Sequence, residues 1–173
     1  VKKIPLIAIF FIFILFQSTL SRIFPQVEQI FFLPNLPLIL LVYVALFAGP
    51  EQGTVVGFLI GFFEDSLSIE LMGINALVKT VLGFVLGLTA SKVVISNRVL
   101  QFVCVVLLTF LNEGGRELLK AILGQSIFQN FTDCFLFFAL KVLPESLING
   151  LLALIIFLLF ERWNLTQSAS DGN

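Results

Sequence analysis

Apolar runs separated by short polar breaks set the plan of the chain. Residues 4–20 are apolar except for Pro5 and a Gln17-Ser18-Thr19 end. The next runs cover residues 36–48, 52–67, 75–94, 99–111 and 142–160. A helix crossing the hydrocarbon core of a bilayer needs about 20 mostly apolar residues, so these runs predict an all-α bundle of six transmembrane helices. Pro5 fits a first helical turn, where a missing N–H costs little. The first run follows Lys2 and Lys3, as a signal peptide would, but exceeds the usual apolar stretch of about 7–15 residues and lacks a small-residue cleavage site. It is read as a retained span. Residues 22–33, with Pro25, Glu28 and two Gln, form an interfacial connection, and Gly49-Pro50 makes a tight hairpin between the second and third spans.

The domain reading is a single helical unit over residues 1–162 and a short polar cytoplasmic tail over 163–173, expected to be disordered. With cytoplasmic termini, the inner flanks carry Lys2, Lys3, Lys92, Arg98 and Arg162, against Arg22 and Lys141 outside. That five-to-two bias of Lys and Arg favours this orientation.

Small residues spaced by four let membrane helices approach closely. Gly53, Gly57 and Gly61 form one such stripe, and Gly83 and Gly87 another. Extending each stripe by four residues reaches Asp65 and Lys79. The expectation is that the two glycine faces pack together and that Asp65 pairs with Lys79; the alternative is a Lys79 that snorkels outward. The fifth run has only 13 residues, about 20 Å of helix, so crossing requires it to carry Glu113, and with it Arg116 and Glu117, into or near the membrane, with Lys120 following. These make opposite-sign pairs at i,i+3, read either as a self-neutralised helix end or as an outward polar notch for a partner or ligand. Ile127, Phe128, Phe131, Phe135 and Phe138 share a helical face. They suit a helix lying at the interface or an early part of the last helix, kinked by Pro144. Asn149, one turn past Glu145, is a buried amide that glues helices.

Composition then removes most chemistry. The chain is 58% apolar and 12% charged, with mean hydropathy +1.07, about half the charge fraction of a soluble domain. It has no His, which excludes His-based triads, His-ligated metals and a His pH switch. A net charge of −1 argues against nucleic acid. Cys104 and Cys134 give no disulfide framework or C-x-x-C site. No phosphate-binding, dinucleotide, zinc-protease or serine-elbow motif occurs. An intramembrane pair of Asp65 with Asp133 has nothing around it in support. The expectation is therefore no enzyme and no cofactor.

Three stretches carry a resemblance. Pro34-Asn35 leads into the second run, Gly49-Pro50-Glu51-Gln52-Gly53 follows it, and Gly57 to Gly61 then lead to Glu64-Asp65. Gly73-Ile74-Asn75-Ala76-Leu77 precedes Gly83 and Gly87, and Pro144-Glu145-Ser146 leads to Asn149. In this order and spacing they resemble the rod shape-determining MreD family over nearly the whole chain. The sequence departs from that pattern at Asn35, where Asp is frequent, at Phe47, where a basic residue is frequent, and at Lys79, where the helix is usually uncharged. The resemblance implies a non-enzymatic, multi-pass subunit of the bacterial cytoplasmic membrane that helps maintain rod shape by organising lateral peptidoglycan synthesis. Its implied direct partner is MreC. The wider complex would hold MreB, RodA and a class B penicillin-binding transpeptidase, and a homodimer is allowed. On this reading an MreC helix packs on the Gly53/Gly57/Gly61 stripe, and the charged end of the fifth helix meets the periplasmic stem of MreC. The family is also similar in fold to the S components of energy-coupling-factor vitamin transporters, which makes such a transporter subunit the alternative function.

Overall fold

The computed structural model describes residues 34–68, 71–90, 96–124, 128 and 130–170, with side chains as far as Leu159. The predicted first span, the 22–33 connection and Lys92 lie outside the described residues. Within them, every regular element is helical: α1 (Leu36–Ala48), α2 (Pro50–Leu67), α3 (Ile74–Thr89), α4 (Arg98–Ile122), α5 (Phe131–Phe137) and α6 (Leu143–Ser170), with a π-helical turn over Phe138–Val142 between the last two. Two of these stretches, Arg98–Ile122 and Phe131–Leu159, are long and apolar enough to cross a membrane, and α1 and α3 are shorter apolar helices.

Helix α1 starts at Asn35, whose side chain accepts from the Leu38 N–H at 3.1 Å, with Pro37 in the first turn. Asn keeps the capping oxygen that Asp would supply, so this departure from the family pattern leaves the helix start intact. The helix is apolar all round, and Leu38 through Val42, Ala45 and Leu46 are buried. It is the central post of the bundle. Gly49 alone separates it from α2, at φ +94°, a backbone conformation that a side chain would strain. Pro50 then opens α2 at a position where its missing N–H is no loss.

The main core joins Ile39, Val42, Ala45 and Leu46 of α1 to Leu86 of α3, Val105 and Leu108 of α4, and Ala153 and Phe157 of α6. Tyr43 and Phe47 pack against it, their rings tilted or edge-on to each other and to Phe157 with centroids 4.6 to 6.1 Å apart. The opposite faces carry a coat of exposed apolar side chains, among them Phe58, Phe62, Phe84, Leu107 and Leu151. An apolar exterior around a core that contains buried polar groups is what a bilayer solvent favours.

The fifth helix runs on from its apolar part through the charged residues to Ile122, 25 residues or about 37 Å, and so carries them as its crossing requires. The polar residues that interrupt the apolar run lie on its buried face, so they break the hydropathy and not the helix. Within the expected fourth span, residues 75–94, the helix ends at Thr89, and residues 91–94 lie outside the described residues. Residues 131–137 belong to the last helix, which is continuous from Phe131 onward and is helical through Ser170, where a disordered tail was expected from Trp163. The π turn precedes Pro144, which has no N–H to give the Leu140 carbonyl and whose ring crowds that turn.

Candidate functional site

Helices α2 and α3 approach through the glycine stripes. A Cβ on Gly53 would stand 2.6 Å from the Gly83 carbonyl oxygen and 2.9 Å from the Ala45 Cβ. One on Gly57 would overlap the Lys79 carbonyl, one on Gly61 the backbone of Asn75 and Ala76, and one on Gly87 the backbone of Pro50. The glycine faces therefore meet each other, backbone against backbone. Helix α3 thus occupies the Gly53/Gly57/Gly61 stripe, the face on which an MreC helix was expected.

The charges at the far end of this helix pair are sorted differently from the expected Asp65–Lys79 contact. Asp65 is buried and its carboxylate accepts four hydrogen bonds: from the N–H of Gly73 (3.0 Å), Asn75 (3.1 Å) and Ala76 (2.9 Å), and from Asn75 Nδ2 (2.9 Å). Those N–H groups are the unsatisfied first donors of α3, and an anion there also meets the positive end of the helix dipole. Asp65 is fully used as the cap of its neighbour. Lys79, only 1% exposed, instead pairs through Nζ with Glu64 Oε2. Glu64 is the residue that sequence reasoning missed. It stands one position before Asp65, and once Asp65 turns toward the α3 N-terminus, Glu64 is the carboxylate left for the lysine.

We expect Asp65→Asn to lower stability by about 2 kcal/mol, because one carboxylate oxygen becomes an NH2 that faces backbone donors. Thermal unfolding in detergent measures it, and a Tm equal to that of the parent protein would contradict the cap.

Helix α4 brings its polar residues to the same end: Gly115 sits where a Cβ would be 3.2 Å from Val78, one residue before Lys79. Arg116 Nη1 donates to both oxygens of Glu113 at 3.2 Å, Asn112 Nδ2 donates to Glu113 Oε1 at 3.0 Å, and Lys120 Nζ donates to Glu117 Oε1 at 3.1 Å. Asn112, Glu113 and Glu117 are buried. Asn149 is fully buried, accepting from the Asn35 N–H at 2.8 Å and donating to Thr109 Oγ1 at 3.3 Å. It ties the start of α1, the middle of α4 and α6 together, the packing role expected of it.

The structure thus gathers Asp65, Lys79, Glu113, Arg116, Glu117 and Lys120 toward one end of the bundle, each carboxylate matched to a cation or a helix cap. None of these carboxylates is held as a spare proton acceptor beside a nucleophile. Asp133 is exposed in the first turn of α5 whereas Asp65 is buried, which leaves the aspartyl pair without support. Among the described residues no three His, Cys, Asp or Glu side chains converge as a metal site.

A family model for rod shape-determining protein MreD matches residues 2–164 of the 173-residue chain. The chain belongs to the MreD family. The match runs from ahead of the first predicted span into the last helix, and so covers both glycine stripes, the Asp65 cap and the charged end of α4. No curated protein and no solved structure matches the chain. Family and apolar helices together make this MreD chain a rod shape-determining membrane protein, of a structural family and not of a known enzyme family.

Proposed function

We propose that this chain is a non-enzymatic, six-span subunit of the bacterial cell-elongation complex that binds MreC and organises lateral peptidoglycan synthesis. The family match over residues 2–164 is the observation that carries the reading. The internal economy of charge supports it: carboxylates and cations inside the bundle neutralise each other or cap helices, as in a rigid scaffold. MreB, RodA and a class B penicillin-binding transpeptidase form the wider complex. The protein lies in the cytoplasmic membrane with both termini inside, the orientation favoured by flanking Lys and Arg. Since the glycine stripe is filled by α3, the MreC helix packs on another face, and the Glu113-to-Lys120 end of α4 is the surface for its periplasmic stem. A second copy of the chain is a further candidate partner.

Depletion in a rod-shaped host should give round cells, scored by microscopy, with MreC no longer recovered alongside the polymerase. Cells that stay rods after depletion would overturn the reading. An arrangement like the S components of energy-coupling-factor transporters belongs to the same proposal at the level of fold. The vitamin-binding alternative is less supported, because the single Tyr of the chain, Tyr43, packs its ring against Phe47 and Phe157 beside the core. A saturable thermal shift with a vitamin would reverse that preference.

A further inference from the structure

Exposed apolar side chains form walls of unequal height around the bundle. On α4 they run from Val99 through Val103, Leu107, Leu111 and Leu118 to Ile122, a wall of about 35 Å. The last helix matches it: its exposed leucines run from Leu136 to Leu159, also about 35 Å. The charge exposed along that stretch is Lys141, whose ammonium stands over the Phe137 ring, one turn outward. On α2 the wall is lower. Val55, Phe58, Leu59 and Phe62 are exposed between an exposed Gln52 and an exposed Ser66, which are about 21 Å apart along the helix. On α3 the exposed apolar residues run from Leu77 to Leu88, about 17 Å, and the whole helix measures about 24 Å. Helix α1 is shorter still, but it has no exposed residue, so its length does not face lipid.

A helix longer than the hydrocarbon core adapts by tilting, whereas a shorter one cannot lengthen and the bilayer thins beside it. A tilt of about 30° brings the wall of α4 down to a core of about 30 Å. Tilting α2 or α3 only lowers them further. Nor can the two slide past each other to gain height, because Gly53 meets the Gly83 backbone and Gly87 meets the backbone of Pro50. The ends of the pair are polar. Glu51 and Gln52 are exposed at one, and the Asp65 cap and the Glu64–Lys79 ion pair lie at the other. Full-thickness hydrocarbon beside α2 and α3 would cover those ends. We propose that the α2–α3 face thins the bilayer against it, and that the lipid it fits is one with short acyl chains, whatever the headgroup. Short chains cover Val55 to Phe62 and Leu77 to Leu88 and leave the polar ends among headgroups and water. The inference rests on α2 and α3 spanning the membrane, as in the six-span reading, and not on MreC or the shape-determining role.

The test uses the full chain in vesicles that mix dimyristoleoyl (short) and dierucoyl (long) phosphatidylcholine, with the chains of each brominated in turn. Trp163→Phe removes the single native tryptophan. Leu59→Trp then reports the lipid at mid-height on α2, and Leu107→Trp does so on α4; both positions are exposed. Quenching of Leu59→Trp should favour the short-chain lipid by about twofold or more, and Leu107→Trp should show no such preference. Adding Gln52→Leu/Ser66→Leu to the α2 reporter raises its wall and should reduce that preference. The unsubstituted chain should unfold at a higher Tm in the short-chain lipid, a readout that needs no variant to fold. Equal quenching by both lipids at Leu59→Trp, or the same preference at both positions, would overturn the thinning and leave the membrane placement standing. A Tm no higher in the short-chain lipid would also overturn it. Quenching at neither position would overturn the membrane placement and the proposal with it.

Discussion

Gly57→Leu should cost about 4 kcal/mol or more and abolish recovery of a monodisperse protein in detergent. Ordinary overpacking costs roughly 1–3 kcal/mol because neighbouring side chains can move aside. Here the first added carbon meets the Lys79 carbonyl and the Thr80 nitrogen, which are backbone, so α2 and α3 must separate along their whole contact. That separation would also pull Asp65 from the start of α3 and Glu64 from Lys79. Gly114→Ala is the control on the same scale. A Cβ there meets only the Phe138 ring, at 3.9 Å, and a helix gains up to about 1 kcal/mol from Gly to Ala. Thermal unfolding and size-exclusion profiles of the two variants should diverge sharply, and a Gly57→Leu protein as stable as its parent would refute the backbone contact. The substitution therefore reports on the fold itself, and any loss of MreC recovery that accompanies it would follow from unfolding.

The glycine faces were legible because four-residue spacing is a property of one helix and needs no knowledge of its neighbours. The same holds for α1, whose bounds are marked by Asn35 and Gly49 and whose apolar run ends where the helix ends. Charge partners were not legible in this way. Extending both stripes by four residues put Asp65 opposite Lys79, but side-chain direction at a helix end depends on the loop that follows. There the free N–H groups of α3 compete for the carboxylate and win it, since they offer several aligned donors against a single ammonium. The burial of the polar residues of α4 was hidden for a related reason. Hydropathy averages over all faces, so Asn112, Glu113 and Glu117 read as an end of the span although they face the bundle. A helical-wheel reading would have found them, because they continue the buried face of Gln101, Val105, Leu108 and Thr109.

Removing the charge of Lys79 alone should destabilise the protein by about 3–5 kcal/mol, because a desolvated pair that loses one member leaves the other uncompensated. Lys79→Met leaves the Glu64 carboxylate, 19% exposed, without its cation; Glu64→Gln leaves a fully buried ammonium, and should be the worse of the two. The double variant Glu64→Met/Lys79→Met should recover most of the loss, since replacing both ions by apolar groups is often neutral. The reversed pair Glu64→Lys/Lys79→Glu should recover part of it, limited by the longer lysine at the more exposed position. By contrast, Asp65→Lys/Lys79→Asp should recover nothing, because it removes the α3 cap and still leaves Glu64 without a cation. A double-mutant cycle on thermal unfolding distinguishes these outcomes. A coupling near zero between positions 64 and 79, or rescue by the 65/79 exchange, would contradict the observed pairing. The double Met variant also asks whether this ion pair adds stability or only replaces an apolar contact.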